Sequence, residues 1–184
     1  MIEVERKFRI SSEQCVAIET DLRESFGATE YVHQVDEVYL QGIDSFADFS
    51  LGMPVARIRT IGDRSEFAYK RRLNDAGDMM EHEMNITPAE SMRAVLTDMD
   101  FRPVTVVDKM RLEAKGKDVS RMVDIVKGLT GAFFELEVIV ADESGIAEAQ
   151  EKIMKVAAEY GLTDDDLEHR KYDQLVSAAK QQKS

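Results

Sequence analysis

A disulfide within the chain is excluded, because Cys15 is its sole cysteine. A reducing compartment follows as the expectation, with Cys15 read as a structural thiol on a helix rather than a nucleophile. No apolar run comes near the ~18 residues that a bilayer-spanning helix needs, so no membrane segment is expected. The chain opens directly on charged residues, which argues against a secretory leader and for a cytoplasmic location. Histidine is scarce: His33, His82 and His169 stand alone, without partners at metal-ligand spacing, and are read as surface or structural. Basic residues are outnumbered, 24 against 36 acidic, for a net charge of -12. That balance removes the basic face that non-specific nucleic-acid binding requires. No internal repeat or low-complexity tract stands out, though the two halves each run strand, helix, strands.

What the chain does have is charge at every second residue. Met1 to Ile10 reads as a strand with Glu3, Glu5 and Lys7 on one face and Ile2, Val4, Arg6, Phe8 and Ile10 on the other, which is mostly apolar. The design recurs in Arg57 and Arg59, Glu81 and Glu83, Lys109, Arg111 and Glu113, and Glu135 and Glu137. A solvated sheet face with weak cross-strand ion pairs is one reading of these residues. The other is convergence on a shared interior, where acids need cations and bases need an anion. A divalent metal with a polyphosphate meets both needs, since hard cations favour oxygen ligands and arginine forks fit phosphate. Unpaired charges in a dry interior would be costly, so such a hollow should be solvated.

Between these strands the signals are ordinary. Ser11 to Gln14 resembles a capping box, and Cys15, Ile18, Leu22 and Phe26 then recur at helical spacing up to Gly27. A strand is expected over 29–40 with Tyr31, His33, Val35, Glu37 and Tyr39 on one face, then a loop over 41–54 whose Phe46 and Phe49 suggest a fold-back lid. Strands follow over 55–61, 66–73 and 79–86, with a turn at Asn74 to Asp78 that contains Gly77. Thr87-Pro88-Ala89-Glu90 reads as a helix start with Thr87 as cap and Pro88 in the first turn, and Met92, Val95, Leu96 and Met99 as its buried face. Further strands are expected over 104–114, 119–126 and 132–140, a helix over 144–160, and a last helical region from Thr163. The 184 residues are read as one domain over 1–175 and a polar tail over 176–184. The fold class is α+β: a closed or nearly closed antiparallel β-barrel of about eight strands forming a charged tunnel, with helices packed outside.

The ordered set of charges resembles the CYTH superfamily, the triphosphate tunnel metalloenzymes. Glu3-Val4-Glu5-Arg6-Lys7 resembles its ExExK motif, Arg57-Ile58-Arg59 its RxR strand, and Lys70 its isolated lysine. Glu81-His82-Glu83, Lys109-Met110-Arg111, Asp124 and Glu135-Leu136-Glu137 follow in the family's order. His33 to Tyr39, Ala47-Asp48-Phe49 and Phe101 to Val104 resemble the class IV adenylyl cyclase-like branch. Val55-Ala56 and Arg170-Lys171-Tyr172 depart from that branch. The resemblance implies Glu3, Glu5, Glu81, Glu83, Asp124, Glu135 and Glu137 as ligands of Mg²⁺ or Mn²⁺. It implies Lys7, Arg57, Arg59, Lys70, Lys109 and Arg111 as phosphate binders. The activity implied is conversion of ATP to cyclic AMP and pyrophosphate. The alternatives are hydrolysis of tripolyphosphate, thiamine triphosphate or a nucleoside triphosphate, or a module that binds without turnover. The proton acceptor is left open between Lys7 and a metal-bound hydroxide, and a homodimer is left open as well.

Overall fold

A computed structural model describes residues 1–74 and 78–181. Their strands are β1 (Ile2–Ile10), β2 (Val32–Gln41), β3 (Pro54–Ile61), β4 (Arg64–Arg72), β5 (Met79–Ile86), β6 (Phe101–Lys115), β7 (Ser120–Val126) and β8 (Ala132–Val140). Their α-helices are α1 (Ser12–Glu24), α2 (Ala89–Asp98), α3 (Ile146–Glu159) and α4 (Tyr172–Gln181). Hydrogen bonding runs β1-β5-β4-β3-β2-β6-β7-β8 and closes into a barrel, the architecture expected from the alternating charges. None of the helices is long and apolar enough to cross a membrane.

Contacts divide the chain into two compact units, Met1–Val32 with Lys109–His169, and His33–Asp108 with Arg170–Ser184. In the first, β1 pairs with β8, β8 with β7 and β7 with the end of β6, all antiparallel. Residues directly opposite share a face, so Val4, Phe8, Leu112, Val123, Phe134 and Leu136 fall together; all are fully buried. Helices α1 and α3 pack on these strands with Ile18, Leu22, Ile153 and Ala157 buried. Ser11 caps α1 as expected: its hydroxyl accepts from the Gln14 amide while the Gln14 side chain accepts from the Ser11 amide. Phe26 is not buried in the core; it lies half out, with the Arg121 guanidinium 4.2 Å above its ring. Cys15 is half-buried, and its thiol donates to Glu19. Burial, with that carboxylate, pushes the thiol up to about 11, which suits the structural reading.

This packing sets a prediction. Leu22→Ala should cost about 2–5 kcal/mol by denaturant unfolding, because a fully buried leucine leaves a cavity. Val16→Ala on the exposed side of the same helix should stay within about 0.5 kcal/mol. Equal effects at the two positions would contradict this assignment of the helix face.

In the second unit, β2, β3, β4 and β5 form an antiparallel meander. One face carries Tyr39, Ala56, Ile58, Phe67 and Tyr69, and Met92 and Leu96 of α2 cover it together with Phe101. Val95 and Met99, expected in that contact, are exposed instead, because the stripe that meets the sheet is Ala89, Met92 and Leu96. The helix start also differs: Pro88 is the cap, and the Thr87 hydroxyl donates to the Ile86 carbonyl rather than capping. The loop after β2 folds back, seating Ile43, Phe46 and Phe49 on Val38, Leu40 and Val55. After Thr163 the chain is not a continuous helix. A short 3-10 turn at Asp164–Asp166, capped by Thr163, precedes an extended stretch and then α4, which buries Leu175 and Val176 and continues to Gln181. The Gly77 turn lies outside the described residues.

Candidate active site

The face of the first unit opposite α1 and α3 carries the charges. Antiparallel register sets Glu5 opposite Glu137, Lys7 opposite Glu135, and Arg111 opposite Asp124. These pairs are local consequences of the period-two pattern: each strand offers its odd or even charged set, and register brings the sets together. Asp124 is fully buried and is the centre of the basic side. Its carboxylate accepts from Lys109 at 3.0 Å and from Arg111 Nε at 2.8 Å. Arg111 Nη2 also donates to Asp124 and, on its other side, to Glu135. Lys7 lies 3.6 Å from Glu135, with both side chains almost wholly buried. Burial and the charge of Glu5 push the Glu135 carboxyl up, but Arg111, Lys7 and Lys109 outweigh them and hold it below its ordinary range.

Glu137 has the opposite balance. Burial first, then the charges of Glu3 and Glu5, push it up to about 8, with Arg111 only partly offsetting them. Glu3, Glu5 and Glu137 therefore form an acidic end of this face, and Lys109, Arg111 and Asp124 a basic one. Among the described residues no three acidic, histidine or cysteine side chains converge as a ready-made metal cage. The donor set nevertheless fits a hard divalent cation. It is all oxygen, it is electrostatically crowded with negative charge, and Mg²⁺ needs only one or two carboxylates beside water and phosphate. Glu3, Glu5, Glu135 and Glu137 are the residues that would hold such an ion.

The second unit has its own charged face, opposite α2. Val38 opposes Arg57, Asp36 opposes Arg59, and Lys70 opposes Glu81. Lys70 donates to Glu81 at 2.6 Å, and Arg57 lies 2.5 Å from Glu83 and 3.5 Å from Glu81. Asp36 receives Arg59 through two parallel bonds of 2.6 and 2.7 Å, the fork geometry that arginine makes with a carboxylate. His82, between Glu81 and Glu83, faces the other way and is exposed.

All thirteen expected site residues thus lie on charged strand faces: Lys7 and seven others in the first unit, and Arg57, Arg59, Lys70, Glu81 and Glu83 in the second. Glu81, Glu83 and Asp124 are engaged by bases, and Glu83 is half exposed. Asp36 was missed as a site residue. The expected face of β2 was Tyr31, His33, Val35, Glu37 and Tyr39, but that side turns to α2, where Glu37 pairs with Arg93. The signal was available in the strand itself: Gln34 and Asp36 stand two apart, an acid spaced like those of the other strands.

The CYTH domain model matches residues 1–172. The chain belongs to the CYTH family. Solved structures with the same fold include the PH1012 protein of Pyrococcus horikoshii, with a TM-score of 0.75 and 25% identity over 95% of this chain and 99% of that one. A conserved protein of Pyrococcus furiosus is similar at TM-score 0.73 and 28% identity, over 94% and 99% of the two chains. A candidate adenylate cyclase from Vibrio parahaemolyticus shares the fold at TM-score 0.76 and 20% identity, covering 96% and 98%. So does a candidate adenylyl cyclase from Hippeastrum, described as having a dominant triphosphatase activity, at TM-score 0.64 and 14% identity, covering 96% and 95%. No curated protein matches the chain.

Proposed function

We propose that this CYTH protein is a divalent-metal-dependent enzyme acting on a triphosphate, and that its reaction is the adenylyl cyclase one, ATP giving cyclic AMP and pyrophosphate. The observation that carries the triphosphate reading is the Lys109–Asp124–Arg111–Glu135–Lys7 chain of buried ion pairs. Such a cluster is a poor source of stability, because desolvating five charges offsets most of their attraction. It is well suited to an anion. Phosphate oxygens can take the donors of Lys7, Lys109 and Arg111, and Asp124 keeps the two bases beside it in position until they do.

Arg57, Arg59 and Lys70 serve as phosphate binders on the second face, where each pairs with a carboxylate. Mg²⁺ or Mn²⁺, bound by Glu3, Glu5, Glu135 and Glu137, would supply neutralisation of phosphate charge. Glu81, Glu83 and Asp124 remain in the proposed metal set as carboxylates that cargo could free from their bases. In the cyclase reaction the ribose 3′-oxygen bonds to the α-phosphorus, the bond from α-phosphorus to the bridging oxygen breaks so that pyrophosphate leaves with that oxygen, and the 3′-hydroxyl proton passes to solvent water. Lys7 is the proposed catalytic side chain, touching the transferred phosphoryl group through its ammonium as charge develops.

The cyclase reading rests on the Gln34–Asp36 strand and on Phe101 to Val104, which resemble that branch. A triphosphatase uses the same charged set with water as attacking group, and the Hippeastrum relative favours keeping it as the second reading. Phosphorus NMR of the protein with ATP, tripolyphosphate and thiamine triphosphate, each with Mg²⁺ or Mn²⁺, decides between them. Cyclic AMP with pyrophosphate is the expected result. Orthophosphate would replace the cyclase reading by the hydrolase one. Measurable binding without any product would overturn the enzyme assignment altogether.

A further inference from the structure

Gln34 on β2 is a buried polar side chain. It is 6% exposed, and its carbonyl Oε1 is fully buried with no hydrogen-bond partner among the described residues. Leaving such a group unsatisfied costs free energy, and native folds retain few of them without a reason. Strand alternation puts Gln34 on the same face as Asp36, two residues further along β2. Asp36 in turn holds both prongs of Arg59. Along this face the order is therefore apolar, then basic, then amide. Val38, Leu40 and Val55 stand under Phe46 and Phe49 at one end; Arg57 and Arg59 follow, and Gln34 lies beyond Arg59.

We infer that Gln34 is a specificity residue: its buried carbonyl accepts a hydrogen bond from an N–H or O–H on the organic part of a nucleoside triphosphate. The inference rests on the triphosphate reading above and adds a direction to it, placing the organic group at the Arg59 end of the basic row. The chemistry discriminates. An ionised tripolyphosphate offers oxygens and no such donor, so it cannot satisfy the amide carbonyl, whereas a nucleoside carries hydroxyl and amine donors. A site built to receive a hydrogen bond rejects ligands lacking the donor, because the buried acceptor then stays unpaired.

The test compares ATP with inorganic tripolyphosphate by titration calorimetry, with Ca²⁺ as the divalent ion and product formation checked. Gln34→Met keeps the length of the side chain and removes the acceptor. It should weaken ATP on the order of tenfold and leave tripolyphosphate unchanged. Gln34→Glu keeps an acceptor; its added charge weakens both ligands alike, so the ratio of the two affinities should stay at the parent value. Thermal stability separates this from a packing role. Removing an unsatisfied buried carbonyl should leave the Gln34→Met melting temperature equal or higher, whereas a structural glutamine would lower it. Equal weakening of both ligands would place the amide on the phosphate chain and overturn the inference, and no change in either would mean water satisfies it. If the parent protein binds neither ligand, the triphosphate reading itself fails, a result distinct from all of these.

Discussion

Glu135→Ala is expected to lower metal-dependent turnover on the order of 10²–10³-fold, the range seen when one preorganised electrostatic partner is removed from an active site. Glu135 faces both halves of its cluster. It meets Lys7 and Arg111 on the basic side and feels Glu5 on the acidic side. Removing it therefore takes away a proposed metal ligand and the counter-charge of two phosphate binders at once. Truncating one partner of a buried ion pair costs about 3–5 kcal/mol in general. Here Asp124 still holds Arg111 and Lys109, so the fold should survive with a lowered melting temperature. Glu135→Gln keeps the shape and an acceptor for Arg111, and should lose activity with a smaller loss of stability. Rates at saturating Mg²⁺ give the first readout, and Mn²⁺ binding followed by electron paramagnetic resonance gives a second that needs no turnover. Full activity and unchanged Mn²⁺ affinity in the alanine variant would rule out the metal assignment.

The second large effect is on stability against pH in metal-free protein. Glu137 is raised to about 8, so between its unfolded value near 4.5 and that pH the folded state holds a proton that the unfolded state has released. Stability should accordingly fall as pH rises through this window. Glu135 is lowered, so its contribution is present above about 4.5 and is lost as pH falls below that. The melting temperature of the metal-free protein should thus decline on both sides of a mildly acidic optimum. Glu137→Gln should flatten the alkaline limb alone, because it replaces the titrating carboxyl with a neutral group of the same size. Mg²⁺ or Mn²⁺ should flatten that limb too, since a cation among Glu3, Glu5 and Glu137 favours their ionised forms. A melting temperature that does not change between pH 5 and 8, or an alkaline limb unaffected by Glu137→Gln, would show that these carboxylates do not interact as the structure places them.

Much of the barrel was legible because its information is short-range. A strand with one charged and one apolar side declares its faces within five or six residues, and Glu3-Glu5-Lys7, Arg57-Arg59 and Glu135-Glu137 each did so. The bounds of β5 and β8 were read to the residue for the same reason. Helix starts were less secure. Ser11 and Gln14 capped as their spacing implies, while Thr87 turned its hydroxyl to a neighbouring carbonyl and left Pro88 as the cap. Burial on α2 was misread at Val95 and Met99 because helical spacing marks the apolar residues but not how wide a stripe the facing sheet covers.

By itself, then, the sequence determined that strands present acids and bases on alternate residues, and which charges share a face within each strand. Only the tertiary structure decided who meets whom. Asp124 takes Lys109 and Arg111 from a strand 13–15 residues away, Arg59 finds Asp36 across 23 residues, and the Gln34 carbonyl finds no partner among the described residues. The reason is register: alternation is fixed by the backbone of one strand, whereas pairing depends on how far each strand slides along its neighbour, which the packing of both faces sets.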